Sequence, residues 1–225
     1  EELWQSHFGP SWYSFDVGNV HYVVTPMLGG DHAPSYRRSD IIRWLKNDLA
    51  QTDKGKRIVL FNHDLWFWGD DLLFKDKNGE QIDFADYNLD AMIYGHWHNH
   101  YYKQLKSGLH TYCSSTPDKG GIDHGTSCFR IYNADTKGKL SSATRYTYID
   151  GILTSAYPAE GETVSVPDGK MTVRINAYRT ISDAKKVTAS VERNGRLVST
   201  VTLMPETDWG WSGAVRVSGG KQRLL

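Results

Sequence analysis

The chain has 225 residues, and its 26 lysine and arginine residues balance 26 aspartate and glutamate residues, so its formal net charge is zero. This length suffices for one large domain or two small ones, each with its own core. The lack of a polybasic stretch argues against a nucleic-acid backbone or an anionic membrane surface as partner. A composition of 39% hydrophobic residues excludes a disordered chain, and no apolar run is long enough to span a bilayer.

The first predicted elements are a β-hairpin and a helix. Within residues 11–25, two runs of aromatic and β-branched residues meet at Gly18-Asn19, a pair typical of hairpin turns. From Ser39 to Gln51, apolar residues recur at helical spacing, and Ser39 is placed to cap the start. We therefore expect an amphipathic helix that packs on a sheet.

Two short strands follow, and both are apolar without alternation. They are Arg57–Phe61 and Asp90–Tyr94, and this pattern is typical of strands that are buried on both faces. Each strand leads directly into a turn that carries histidine. Four further short strands are predicted at residues 101–105, 110–114, 129–133 and 144–148.

The sequence changes character near residue 150, so we predict two domains, residues 1–150 and 151–225. In the second part, residues 171–178, 187–193 and 196–203 alternate with a period of two, which predicts a β-sandwich. All nine histidines lie before residue 125. We therefore expect the chemistry of the chain to lie in its first part.

The strongest candidate site combines the two histidine-bearing turns. Gly95-His96-Trp97-His98 follows the second buried strand, and His63 follows the first. In open α/β sheets, the loops that leave the carboxyl ends of the strands line the functional crevice. Imidazole is a common ligand of Zn, Fe, Mn and Ni, so three histidines at one edge indicate a metal site.

In this order, the hairpin, the helix, His63 and the Gly-His-x-His motif resemble the second half of a calcineurin-like metallophosphoesterase. The resemblance extends to about residue 150 and implies an α/β fold, a partial four-layer metallophosphoesterase sandwich. Residues 151–225 resemble a fibronectin-like or Ig-like accessory module, so the expected fold class is α/β with an all-β C-terminal domain. By analogy alone, such a module implies an extracytoplasmic location.

The resemblance also implies a function, the metal-dependent hydrolysis of phosphate esters. It makes His63 and His96 ligands of one ion of a dinuclear centre and His98 a ligand of the other. Two divalent ions, Mn, Zn, Fe or Ni, would bind the complete site. The substrate would be a small phosphate ester or a phosphoprotein, and the resemblance assigns no catalytic acid or base to this sequence.

The family's Asp-x-His, Gly-Asp-x-x and Gly-Asn-His motifs would precede the hairpin, and the sequence begins after them. We therefore expect the chain to be part of a longer enzyme, to hold metal weakly by itself and to hydrolyse little. The rival prediction is a non-catalytic binding protein or a cell-surface module derived from a phosphoesterase fold.

Several other residues have two interpretations each. Asp31 and His32, in a loop before the helix, either approach the substrate or belong to a solvated loop. His100 and His124 either face the substrate or pack structurally. The run Trp66-Phe67-Trp68 after His63 predicts a surface that stacks on substrate, a buried patch or a lid. Cys113 and Cys128 are expected either to form one disulfide or to stay reduced.

Overall fold

The computed structural model describes residues 2–28, 34–217 and 223–224. Asp31 and His32 lie outside the described residues. The chain divides into two compact units, Glu1–Ser142 and Ala143–Leu225, which are described separately below. In the part of the chain that is described, no helix is both long and apolar enough to cross a membrane.

Within its described residues, the first unit contains two α-helices and nine strands. The helices are α1 (Glu2–Phe8) and α2 (Arg38–Gln51), and Phe84–Asp86 forms a single 3₁₀ turn. The strands are β1 (Tyr13–Val17), β2 (Val20–Val24), β3 (Arg57–Phe61), β4 (Leu73–Lys75), β5 (Gln81–Asp83), β6 (Leu89–Tyr94), β7 (Tyr101–Gln104), β8 (His110–Cys113) and β9 (Cys128–Ala134).

Six of these strands form one mixed sheet, in the order β1-β2-β3-β6-β8-β7. The four central strands, β2, β3, β6 and β8, run parallel to one another. The edge strands β1 and β7 pair antiparallel with β2 and β8. The carboxyl ends of the four parallel strands therefore lie at one edge of the sheet. That edge carries the turns after β3 and β6.

The predicted hairpin and helix are present, with one change at the helix start. Val17 pairs with Val20 across the turn. Gly18 has a φ of 56°, a positive value that glycine adopts readily in hairpin turns. The helix begins at Arg38, so Ser39 is not its cap. Instead, the carboxylate of Asp40 accepts a hydrogen bond of 2.8 Å from the backbone N–H of Arg37.

Each face of the mixed sheet contributes to its own core, because side chains alternate along a strand. Ile58, Leu60 and Met92 belong to the larger core with the buried face of α2 and the β4–β5 hairpin. Val59 points to the opposite face and belongs to a smaller core with Leu140. These central strands are buried on both faces, as their unalternating sequences predict.

A cluster of polar side chains joins the β1–β2 hairpin to α2. It consists of His21, Asp16, Asp48 and Lys56, and we call it the His21 cluster. His21 Nδ1 lies 2.7 Å from Asp16 Oδ1, and His21 Nε2 lies 2.9 Å from Asp48 Oδ2. Lys56 Nζ lies 2.7 Å from the other carboxylate oxygen of Asp16. Both ring nitrogens of a 6% exposed histidine thus face carboxylates, which gives His21 a structural role.

The second unit is built from strands. Its strands are β11 (Gly151–Tyr157), β12 (Lys170–Arg179), β13 (Thr188–Arg193), β14 (Arg196–Thr202), β15 (Met204–Pro205), β16 (Gly210–Arg216) and β17 (Arg223–Leu224). Strand β10 (Leu140–Tyr146) precedes them and belongs to a two-stranded sheet with β9. They form a four-stranded sheet, β11-β12-β16-β15, and a three-stranded sheet, β14-β13-β17. One core contains Val173 and Val215 from the first sheet and Val191 from the second.

Asn194-Gly195 forms a two-residue turn between β13 and β14. Arg193 pairs with Arg196 across it, and Asn194 and Gly195 have φ values of 51° and 76°. A two-residue turn with both central residues in the left-handed region matches the right-handed twist of the flanking strands.

The expected fold class, an α/β partial four-layer sandwich followed by an all-β domain, is wrong. Strands make up 44% of the described residues and helices 11%, and the strands are divided among several small sheets. The reason lies in the connections between the parallel strands. Only the connection from β2 to β3 contains a long helix, whereas the β3–β6 connection contains the β4–β5 hairpin and the β6–β8 connection contains edge strand β7.

Candidate metal centre

The candidate site lies where β3 and β6, two neighbouring parallel strands, end. Their pairing continues into the turns that follow them. The backbone N–H of Asn62 donates to the carbonyl of Ile93 at 3.1 Å, and the N–H of Gly95 donates to the carbonyl of His63 at 3.1 Å. These bonds fix the two turns against each other and bring His63 next to the residue after Gly95, which is His96.

Three potential ligands meet at these turns, and we call His63, Asp64 and His96 the metal cluster. Their ligand atoms all lie within 4.8 Å of one another. His63 Nε2 lies 3.2 Å from His96 Nδ1, and the two rings are nearly perpendicular, at 85°. Asp64 Oδ1 lies 3.7 Å from His96 Nδ1.

These distances fit a shared divalent ion. Metal–ligand bonds of about 2.0–2.2 Å place two neighbouring donor atoms about 3.0–3.5 Å apart in octahedral or tetrahedral coordination. The nitrogen pair already satisfies this distance, and Asp64 Oδ1, at 3.7 Å from His96 Nδ1, lies slightly beyond it. Without an ion, the same nitrogen pair is a hydrogen bond in which one ring donates to the other.

The donor set also fits borderline metals. Two imidazoles and one carboxylate suit Zn, Mn, Fe or Ni better than Ca or Mg, which prefer oxygen ligands. The single carboxylate partly balances the charge of a divalent ion. His63 and His96 are exposed, so a ligand from solution can reach them.

Asn62 holds the first of the two turns in place. Its side chain is 8% exposed, and its Nδ2 donates to Thr25 Oγ1 at 2.8 Å and to the carbonyl of Pro26 at 3.0 Å. Its Oδ1 accepts from the backbone N–H of Asp64 at 2.7 Å. One buried amide therefore ties the end of β2 to the turn that carries His63 and Asp64.

The second turn stores backbone strain at its histidines. His96 has a φ of 65° and His98 a φ of 48°, in the left-handed region that non-glycine residues rarely adopt. The left-handed residues of this turn are the two histidines and not Gly95. Such conformations cost about 1–2 kcal/mol each and are concentrated at functional sites.

The structure does not include His98 in the metal cluster. Its side chain is exposed, and its carbonyl accepts a hydrogen bond of 2.8 Å from the N–H of Ile122. A Cβ on Gly121 would lie 2.8 Å from that carbonyl oxygen, so the close approach requires glycine there. The predicted role of His98 as a ligand of a second ion stays a prediction.

The other predicted residues lie around this edge or outside the described residues. His124 is exposed, and its N–H donates to the carbonyl of Gly121 in the loop that contacts His98. His100 lies against the guanidinium of Arg130, with His100 Nε2 3.0 Å from Arg130 Nη2. These placements leave the predicted substrate contacts of His100 and His124 open.

Both cysteines are buried and free, so of the two alternatives, one disulfide or reduced thiols, the structure has the reduced thiols. The Sγ of Cys113 donates to the carbonyl of Gly95 at 3.3 Å, directly beneath the histidine turn. Burial raises the pKa of the Cys113 thiol, which favours the neutral donor. Cys113 therefore helps to hold the turn and is not a metal ligand in this arrangement.

Sequence reasoning did not predict Asp64 as part of the site. Its signal was available, because a carboxylate follows His63 directly at the end of a buried strand. The placement also depends on Asn62, whose hydrogen bond to the Asp64 backbone is visible only in three dimensions.

Comparison with models of known protein families finds no family that matches the chain, and comparison with curated proteins finds no match.

Proposed function

We propose that the first unit carries a metal site for the hydrolysis of phosphate esters. The observation that supports this most directly is the metal cluster itself, two imidazoles and a carboxylate at the ends of two neighbouring parallel strands. The Gly-His-Trp-His sequence at the second of these ends, and its resemblance to metallophosphoesterases, favour phosphate esters over other substrates. The predicted extracytoplasmic location stays a prediction.

In this proposal, His63, His96 and Asp64 bind a divalent ion, with Mn and Zn as the leading candidates. When bound, such an ion supplies Lewis-acid chemistry, which offsets the negative charge of the phosphate and makes water a better nucleophile near neutral pH. The residues of the chain hold and orient it. Asn62 fixes the backbone of Asp64, and the left-handed turn presents the His96 ring to His63.

Three ligand residues are fewer than a dinuclear centre needs. Exposed side chains also leave water free to compete for the ion. We therefore expect measurable metal binding, with affinity below that of a closed site, and slow hydrolysis by the chain alone. His98, in the same turn as His96, is the candidate for a contact with a second ion.

The test combines binding and turnover in the same samples. Isothermal titration with Mn²⁺ or Zn²⁺ gives the affinity, and bis(p-nitrophenyl) phosphate and p-nitrophenyl phosphate report hydrolysis. We expect metal-dependent hydrolysis that falls at least about 100-fold in His63→Ala and His96→Ala. His7→Ala is the matched control, because His7 is an exposed histidine in α1, outside the metal cluster.

The outcomes separate the two functions considered above. Metal binding with hydrolysis that requires His63 and His96 supports the phosphoesterase. Metal binding without hydrolysis of either ester contradicts it and favours the non-catalytic binding protein. If His98→Ala abolishes hydrolysis and leaves the first metal affinity unchanged, His98 acts on a second ion, as the resemblance implies.

A further inference from the structure

An exposed tryptophan lies in the same turn region as the metal cluster. Of the three aromatic residues at 66–68, Phe67 is buried and Trp66 stacks on Phe74 with ring centroids 3.8 Å apart. Trp68 is different, because it remains 67% exposed. Burial of an aromatic side chain is strongly favourable, so a tryptophan left in water beside a candidate site suggests a binding role.

Trp68 is exposed but not loosely attached. Its ring lies 5.0 Å from that of Trp97, and Trp97 packs edge-on against Tyr94 and Tyr101, with centroids 5.2 and 5.4 Å away. The carbonyl of Trp68 accepts a hydrogen bond from Lys103 Nζ at 3.1 Å. The contact with Trp97 therefore holds the indole, and the hydrogen bond from Lys103 holds the Trp68 backbone.

Both tryptophans belong to the turns that carry the metal cluster. Trp97 follows His96 directly, and Trp68 is four residues after Asp64. A four-residue chain spans at most roughly 14 Å, which limits the distance between the Asp64 and Trp68 backbones. Trp68 also contacts Trp97, the residue next to His96, so a substrate bound at the cluster by its phosphate could reach the indole with the rest of the molecule.

We propose that Trp68, supported by Trp97, is a stacking surface for a flat aromatic ring on the phosphate ester that binds at the metal cluster. The inference rests on the proposed function and narrows its substrate class to aryl and nucleoside phosphate esters. Stacking of a base on an aromatic side chain strengthens binding by roughly 5- to 150-fold.

An aromatic ring suits this surface better than a bare sugar. Sugar recognition combines ring stacking with hydrogen bonds to hydroxyl groups, and two polar side chains near Trp68, Lys103 and Asp70, already bond within the chain. Lys103 donates to the Trp68 carbonyl, and Asp70 Oδ1 accepts from the N–H of Ser107 at 3.0 Å.

The experiment compares two phosphonates, because their carbon–phosphorus bonds are not hydrolysed during the measurement. With the chain loaded with Zn²⁺, isothermal titration gives Kd values for phenylphosphonate and methylphosphonate, and ribose 5-phosphate tests for sugar binding. We expect phenylphosphonate to bind about tenfold more tightly than methylphosphonate. Trp68→Ala should abolish this ratio, and Trp68→Phe should retain most of it.

Trp4→Ala is the matched control, since Trp4 is also an exposed indole, at 57%, and lies in α1. It should leave the tenfold ratio unchanged. Equal affinities in the wild type, a ratio that survives Trp68→Ala, or tighter binding of ribose 5-phosphate would each overturn the stacking proposal.

Failure of the stacking surface can be told apart from failure of the metal site. If both phosphonates bind equally and His63→Ala abolishes that binding, the phosphate site stands and only the stacking proposal is overturned. If the Zn²⁺-loaded chain binds neither phosphonate, both proposals are overturned.

Discussion

The first unit uses histidine in two opposite ways. In the His21 cluster, a 6% exposed imidazole has a carboxylate oxygen within 3 Å of each ring nitrogen, at 2.7 and 2.9 Å. In the metal cluster, two exposed imidazoles face each other at 3.2 Å, and the nearest carboxylate oxygen in the cluster lies 3.7 Å from His96 Nδ1. The residue types are the same, but the first arrangement is complete and the second is open.

This difference shows how burial separates structure from function. A buried imidazole must be satisfied by its own chain, because an unpaired polar atom in the interior costs about 1–3 kcal/mol. An exposed pair can exchange its hydrogen bond for a ligand at little cost to the fold. Removal of the metal cluster should therefore lower metal affinity, whereas removal of the His21 cluster should lower the stability of the fold.

The largest expected effect is on metal affinity. The double variant His63→Ala/His96→Ala should bind Zn²⁺ at least about 100-fold more weakly, because it loses two of three ligands. Its free energy of unfolding should change by no more than about 0.5 kcal/mol, since both side chains are exposed. Isothermal titration and urea denaturation of the same variant check the two halves of this prediction. A large loss of stability would mean that the pair is structural.

The reverse pattern is expected at His21. His21→Ala leaves Asp16 and Asp48 without their shared partner and should lower the free energy of unfolding by about 2 kcal/mol. Zn²⁺ affinity should stay within about twofold of the wild type, because the metal cluster is unaffected. Thermal unfolding followed by circular dichroism, with His7→Ala as the control, measures the first effect. An unchanged stability would contradict the structural role of His21.

Asn62 should connect the two properties, since it is buried yet holds a metal-cluster turn. Asn62→Ala removes the hydrogen bonds to the Thr25–Pro26 segment and to the Asp64 backbone. We expect a Zn²⁺ affinity about tenfold lower, a loss typical of residues that support metal ligands, together with a measurable loss of stability. If stability falls and affinity does not, Asn62 supports only the fold.

The left-handed turn gives a smaller but specific effect. Glycine adopts a φ of 48° without strain, whereas alanine does not, so His98→Gly should be more stable than His98→Ala by about 1 kcal/mol. His7 lies in helix α1 and not in a left-handed turn. There the alanine variant should be more stable than the glycine variant, because alanine has the higher helix propensity. Chemical denaturation of the four variants tests both signs.

The smallest effect concerns pH. Hydrogen bonds from Lys56 first and then His21 hold the pKa of the Asp16 carboxyl below its ordinary value of 3.8. A lowered folded pKa stabilises the fold above the ordinary value, and this contribution is lost as the pH falls further. Asp16→Asn should therefore be less stable than the wild type at pH 6, by under about 1 kcal/mol, because Asp16 is half exposed. The difference should shrink as the pH falls below 3.8, and a difference independent of pH would contradict the assignment.

The elements predicted correctly are those with strong local signals. Gly18-Asn19 specifies the β1–β2 turn, the spacing of Ile41, Ile42, Leu45 and Leu49 specifies α2, and unbroken apolar runs specify β3 and β6. The β4–β5 hairpin escaped prediction because its strands have three residues each, too few to show alternation. The predicted fold class was wrong because two of the connections between parallel strands lack the helices that an α/β fold requires.

At the site, the sequence locates the turns but not their details. Because β3 and β6 are adjacent and parallel, His63 and His96 meet, as an argument from strand ends expects. The inclusion of Asp64 depends on the side chain of Asn62, and the separation of His98 depends on backbone angles. Residue spacing encodes neither feature, so the composition of the cluster is visible only in the three-dimensional structure.

The most direct test of the central claim is an anomalous-scattering map from crystals of the chain grown with Zn²⁺, recorded on both sides of the zinc edge. The account predicts a zinc peak about 2.0–2.2 Å from His63 Nε2, His96 Nδ1 and a carboxylate oxygen of Asp64. The peak should vanish in His63→Ala/His96→Ala crystals. Zinc bound elsewhere, with the His63–His96 hydrogen bond intact, would contradict the claim.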